Sequence, residues 1–353
     1  MMRNTLLDIA HAGVQAPSAD NEHVFRIELA ETGIFLWPTA EFASNKDGLR
    51  QVLGLISLGA VVENMRLRAE ELGLSAQISW FEGGDNRPIA ELDFSPSLAV
   101  DLDELAAAIP SRQTNRRMYS GPELTVDETR LLTAAVESVE GAQIVWLRGD
   151  ARRRALKLIW RAESERFLRH DLHHDLFSSI RFDLSWYETA DRALPPGALE
   201  IEKPMRPLFK ALRHWAFMRP LTWFGVHWLV GLRAGWLPAW QAPALGLLVT
   251  PLSTERGSIA VGAALERLWL RATLLDLAMQ PMAASTVLMQ TSSTERGASS
   301  KLRSALGLGW QTITPGLAPQ MVFRMGRAEK PTVRCKRRLI DDYLRPSTHE
   351  TGI

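Results

Sequence analysis

The chain has 353 residues, long enough for two domains of ordinary size or one large two-layer body. Hydrophobic residues make up 46% and charged residues 23%, a globular composition that excludes a disordered chain. The net charge of +1 supplies no global basic field for nucleic acid, and the single cysteine, Cys335, excludes an internal disulfide and a Cys-type zinc site.

Met1 to Val14 holds too short an apolar run for a signal peptide, and no stretch is apolar for long enough to span a bilayer, so a soluble cytoplasmic protein is expected. Thr5 to Val14 reads as a helix that ends in the loop Ala16-Pro17-Ser18. Val24–Leu29 and Gly33–Trp37 alternate around Glu31-Thr32-Gly33 as a hairpin. Gln51 to Leu74 is a long helix with apolar residues on most of its faces, stopped by Gly73. A strand at Ala76–Phe81, a Gly/Asp/Asn loop at Gly83–Arg87 and a strand at Ile89–Phe94 follow. After Pro110 comes the basic segment Ser111–Arg117, then a helix at Val126–Val136, a strand at Gln143–Leu147 and a charged helix at Arg152–Arg169. Pro204–Leu237 is rich in Trp, Pro and Arg. Ala244–Val249 is a strand, Ile259–Leu277 a second long buried helix, and Met321–Met325 a last strand before a basic tail.

The two long helices match. Gly59–Leu74 lies over Gly262–Leu277 without a gap, with identities at Gly59/Gly262, Ala60/Ala263, Glu63/Glu266, Leu67/Leu270, Arg68/Arg271, Ala69/Ala272, Leu72/Leu275 and Leu74/Leu277. Shared apolar periodicity arises by chance, but Gly, Glu and Arg are not interchangeable packing units. The match predicts an internal duplication, divided as 1–108 and 109–353, with a Trp-rich insertion or lid around 204–240. A fused pair of this kind can build the two-fold interface that separate chains would otherwise make as a homodimer, so the chain is expected to work as a monomer.

Three segments carry candidate chemistry. Pro17, Ser18 and Asn21 place a hydroxyl and an amide in one turn, suited to the edge of a heteroaromatic ring or simply to ending a helix. Arg112, Thr114, Asn115 and Arg116 form a phosphate cradle or a solvated basic linker. A helix N-terminus at this cradle would add its dipole. The tail residues Arg334, Arg337 and Arg338 either close over the same phosphate or sit in solvent.

Taken together these segments resemble the FMN-dependent nitroreductase family. Ala16-Pro17-Ser18-x-x-Asn21 looks like that family's Ala-Pro-Ser-x-x-Asn loop, and Arg112-x-Thr114-x-Arg116 like its phosphate segment. The helix from Gly262 into Gln280-Pro281-Met282 resembles its central helix and the loop beneath the flavin, and Phe323–Gly326 with the run to Arg338 its C-terminal strand and arginine. Here one set is divided between two halves, which is similar to the duplicated, pseudo-dimeric Acg-like branch. The resemblance implies an α+β fold of two tandem related domains, each with a sheet packed on a long central helix, and one FMN at their seam. It implies hydride transfer from NAD(P)H to flavin N5, near backbone N–H groups following Pro281, and on to a nitroaromatic, quinone or similar small-molecule acceptor. The competing reading is an FMN store whose Trp-rich lid covers the flavin. Asn21 is followed by Glu22-His23-Val24-Phe25 in place of the family's Gln-Pro-Trp, and Asp276 replaces Gly73, which predicts a different turn before Pro281.

Other features rank lower. His170 and His174 share a helix face but lack further ligands for a metal, and Cys335 has no His or Asp partner motif. Trp223, Trp228, Trp236 and Trp240 are available as interfacial anchors. Pro220, Pro238 and frequent Gly break any continuous amphipathic helix, which disfavours membrane-surface contact.

Overall fold

The computed structural model describes residues 2–44, 49–81, 87–97, 103–252, 255–290 and 299–345. Most of the loop expected at Gly83–Arg87 lies outside them. In the first half, α1 (Met2–Val14) buries Leu6, Ile9, Ala10 and Val14 at helical spacing. A short turn leads to β1 (Phe25–Leu29) and β2 (Gly33–Pro38), an antiparallel hairpin in the register Leu29↔Ile34. The short α2 (Ala40–Ser44) precedes α3 (Leu49–Glu71), and β3 (Leu74–Trp80) and β4 (Ala90–Pro96) complete a sheet of order β1-β2-β4-β3.

The second half runs through α4 (Val126–Glu137), β5 (Gln143–Trp146), β6 (Ala244–Thr250), α11 (Glu255–Leu274), β7 (Ala278–Met282) and β8 (Ala318–Gly326). Its sheet order, β5-β6-β8-β7, repeats that of the first, with every pairing antiparallel. Between β5 and β6, where the first half has only a tight turn, stand six α-helices. They are α5 (Gly149–Leu168), α6 (His170–Ser178), α7 (Arg206–Leu212), α8 (Trp215–Trp223), α9 (Val226–Gly231) and α10 (Leu237–Gln241). Between β7 and β8 lie α12 (Ala284–Val287) and α13 (Ser300–Ile313), the latter a helix without a counterpart among the sequence expectations.

The halves meet where α3 crosses α11, and the contact is reciprocal. A Cβ at Gly59 would overlap the Ile259 carbonyl, and one at Gly262 would overlap the Ile56 carbonyl. Ile56 and Ile259 stand at the same offset as the two glycines, so each helix offers the other the same patch, as an isologous interface does. Most side chains of both helices from the crossing onward are buried, which is why their sequences are apolar on several faces.

Three local expectations are corrected. Gln280-Pro281-Met282 is the outermost strand β7 and not a loop; an edge strand tolerates Pro281 because its missing N–H is not needed on the open side. Arg112–Arg117 is irregular and not a helix start. Asp276 does not reshape its turn, since it adopts φ 52°, the left-handed conformation that Gly73 adopts at φ 75°.

Beyond β8 the chain returns to the first half. The Ile27 N–H donates to the Tyr343 carbonyl (2.8 Å) and the Arg345 N–H to the Ile27 carbonyl (2.9 Å), so the tail adds a short parallel rung beside β1. Tyr343, buried, stacks on Phe25 at 5.9 Å.

Candidate functional site

That return draws the basic tail across the seam. After Pro17, the turn Ser18–Asn21 holds Asp20 and Asn21 at positive φ, a conformation these residues tolerate better than most. The Asn21 amide is engaged by the tail: its Oδ1 accepts from Arg337 Nη1 and its Nδ2 donates to the Lys336 carbonyl (3.2 Å). Arg337 Nη2 also donates to the Ala16 carbonyl (2.7 Å). From the other side, Arg112 Nη2 donates to the Gln15 carbonyl (2.6 Å), its Nε faces the buried Glu266 carboxylate at 3.2 Å, and its guanidinium lies over Trp269.

These groups enclose a cationic cavity of about 640 Å³ including its open mouth, lined by Pro17, Ser18, Asn21, Arg112, Thr114, Arg116, Arg334 and Arg337 among others. Asp20 is the one carboxylate among its lining residues. Arg116 donates only to the Ala198 carbonyl (3.2 Å) and has no ion-pair partner among the described residues. Arg334 donates to the Pro110 and Arg112 carbonyls, not to an acid. Burial pushes the Arg116 guanidinium below its ordinary range. It pushes Arg337 to about 10, with repulsion from Arg112 adding to the effect. Glu266 is pushed the other way by its burial, which the Arg112 charge only partly offsets. Cations concentrated where water is scarce are stabilised by an anion of matching shape.

The cationic cavity opens into a larger, more apolar one of about 1490 Å³, open mouth included; the two share Pro17, Ser18, Asp20, Thr114, Arg116 and Leu194. Gln280, Pro281 and Met282 form one side of it, with Leu53, Ile56, Leu265 and Trp269 from the central helices. Gln280 is held by Arg324, whose Nε donates to Oε1 at 2.7 Å. Further lining comes from the insertion: Glu163 and Arg166 of α5, Leu172, Asp175 and Leu176 of α6, and Leu194 and Leu199. Between residues 204 and 240 only Ala234 lines it, and the insertion contributes mainly through α5, α6 and the segment after them.

Two expected residues face elsewhere. Asn115 is structural: its N–H donates to the Met279 carbonyl, its Nδ2 to the Glu329 carbonyl and its Oδ1 accepts from the Arg117 N–H. Arg338 lies over Tyr343 and faces Glu22 at 3.4 Å. The other predicted residues converge, from both halves, on the joined cavities.

No family model matches the sequence, and no curated protein matches it. Several solved structures overlap it in part. The FMN-dependent nitroreductase NfnB from Mycobacterium smegmatis, in complex with NADPH, is 16% identical, covers 70% of this chain and 100% of its own, and gives a TM-score of 0.40. A nitroreductase with bound FMN from Bacteroides fragilis is 11% identical over 67% of this chain and 95% of its own, at 0.37. An oxidized iodotyrosine deiodinase bound to FMN and 3-iodo-L-tyrosine is 11% identical over the same shares, at 0.35.

Sequence reasoning missed Glu266, His23 and the place of Cys335. Glu266 was visible as the partner of Glu63 in the gapless helix match, but nothing local pointed it at Arg112. His23 is fully enclosed behind the Pro17 turn, its Nε2 3.1 Å from the Val14 carbonyl and its Nδ1 3.4 Å from Ser57 Oγ. Its pKa falls well below the usual value, first through burial and then through Arg337. Cys335 lines the cationic cavity, and burial raises its thiol pKa, which leaves it a poor nucleophile.

The matched position on α3 is occupied by an ion cluster. Glu63, the counterpart of Glu266, is bound by Arg267 (2.8 Å) and Arg66 (2.7 Å), and Arg267 also pairs with Asp103 (2.6 Å). Where the first seam position offers unpaired guanidinium groups, its mate has an internally neutralised ion cluster.

Proposed function

We propose that this chain is an FMN-binding oxidoreductase of nitroreductase type, a duplicated pseudo-dimer of halves 1–108 and 109–353 that holds one flavin at its seam. The observation that carries this reading is the convergence of Ser18 and the guanidinium groups of Arg112, Arg116, Arg334 and Arg337 on one cavity continuous with an apolar slot. A phosphate at one end and a flat ring at the other match that gradient.

The residues fit the group on chemical grounds. Ser18 Oγ is buried without a hydrogen-bond partner, and a polar ring edge would satisfy it. Arg116 and Arg334 lack acidic partners, and a phosphate would neutralise them. Arg112 and Arg337 are already pinned to the backbone of Gln15 and Ala16, so their charge is positioned before any ligand arrives. Pro281, Met282, Leu265 and Trp269 would exclude water around the ring. Bound there, FMN would supply two-electron chemistry, accepting hydride from NADH or NADPH and passing it to a nitroaromatic, quinone or similar acceptor. The closed cluster around Glu63 supports one flavin per chain instead of two.

A second reading is an FMN store with little turnover, supported by the residues of α5 and α6 that line the slot. The purified protein is expected to show a flavin absorption spectrum at one FMN per chain. Oxidation of NADPH with nitrofurazone or a quinone then separates the readings: turnover identifies the reductase, and bound flavin without turnover identifies the store. Absence of flavin binding on reconstitution with FMN refutes both.

A further inference from the structure

The insertion exposes more apolar surface than its packing explains, and that surface is concentrated in one place. On α8, the solvent-facing positions 216, 217, 219, 220, 223 and 224 recur at the spacing of a single helix face, and they include Phe217, Trp223 and Phe224. Gly225, at φ 75°, then turns the chain into α9, which exposes Trp228 and Leu229. Trp223 is 78% exposed, Phe224 83% and Leu229 67%, all within seven residues of one elbow. Large side chains of this kind rarely crowd together on a surface that meets only water.

The segment that carries the elbow has charge of one sign. Residues 203–252 contain no aspartate or glutamate, and Lys203, Lys210, Arg213 and Arg219 stand exposed. We propose that the α8–α9 elbow docks on an anionic lipid surface, with Trp223 and Phe224 entering the headgroup region and Lys210 and Arg219 meeting lipid phosphates. No helix of the described residues is long and apolar enough to cross a membrane, so the contact lies on the surface. A second copy of the chain fits less well, because a two-fold interface would set this basic patch against itself. Pro220 and the Gly225 turn break the helix, but the break is what brings the exposed ends of α8 and α9 to one tip.

The test is cosedimentation of the full chain with phosphatidylcholine vesicles, with and without phosphatidylglycerol, at low and high salt. Binding is expected only to the anionic vesicles and is expected to weaken with salt. Lys210→Ala/Arg219→Ala should weaken it by about 25-fold, about fivefold for each cation near the surface. Trp223→Ala/Phe224→Ala should weaken it by more than about tenfold through lost apolar burial. Because these side chains are exposed, unchanged circular dichroism and flavin content are expected in both variants. No binding to anionic vesicles, equal binding to neutral ones, or undiminished binding by the Trp223/Phe224 variant overturns the proposal. A concentration-dependent dimer that Trp223→Ala/Phe224→Ala abolishes, without vesicle binding, assigns the surface to a second copy and overturns it too.

Discussion

Arg116 gives the sharpest test of the cavity, because it is a buried cation with no ion-pair partner among the described residues. Its one hydrogen bond is to the Ala198 carbonyl, and burial already depresses its pKa. Arg116→Ala therefore removes a buried charge from the free protein and, in the proposed FMN complex, a phosphate partner. Loss of one charge-assisted bond corresponds to about 1.5–3 kcal/mol, or roughly 10- to 150-fold in Kd. Quenching of flavin fluorescence, titrated with FMN and with riboflavin, reads this directly. The parent should prefer FMN, the variant should lose most of that preference, and affinity for riboflavin should stay nearly constant. Melting without ligand should be no lower in the variant than in the parent. The reasoning is refuted if Arg116→Ala binds FMN as tightly as the parent, or if the parent does not distinguish FMN from riboflavin.

Arg112 should behave differently, because Arg112→Ala strands the Glu266 carboxylate in the core. Urea denaturation should show a loss of about 3–5 kcal/mol, and adding Glu266→Gln should restore much of it. Gly59→Ala or Gly262→Ala forces a methyl group into a facing carbonyl at the helix crossing, and melting curves should show a loss of about 1–3 kcal/mol or more. His23 is neutral in the fold and protonates in the unfolded chain as pH falls past its ordinary value of 6.5, so its contribution to stability is present above that pH and is lost below it. Between pH 7.5 and 5.5 the parent should lose more stability than His23→Gln; equal losses would show that the imidazole titrates normally.

Much of this molecule was legible because a few strong local signals agreed. The gapless match of the two helices identified the pair that cross, and the matched Gly59 and Gly262 are the residues that let them touch. The Ser18 turn and the arginines at 112, 116, 334 and 337 meet because the tail folds back to β1, although basic runs of that kind are often only solvated. Other features depended on partners distant in sequence. β7 was hidden by Pro281, which local rules exclude from strands, and only its position at the sheet edge removes the conflict. Asn115 and Arg338 carry suitable chemistry but are turned away by Met279, Glu329, Glu22 and Tyr343. The contribution of α5 and α6 to the slot was not legible, because they look like plain charged helices, and the aromatic content of 204–240 marks burial or recognition without saying which.

The reciprocal crossing of α3 and α11 has a kinetic meaning as well as a structural one. Both faces of the seam lie on one polypeptide, so the candidate site would form by a unimolecular step without the association of two subunits. Each half also mutates independently of the other. One seat at the seam can close into the ion cluster around Glu63 while its mate stays open, a division that two identical copies related by symmetry cannot adopt.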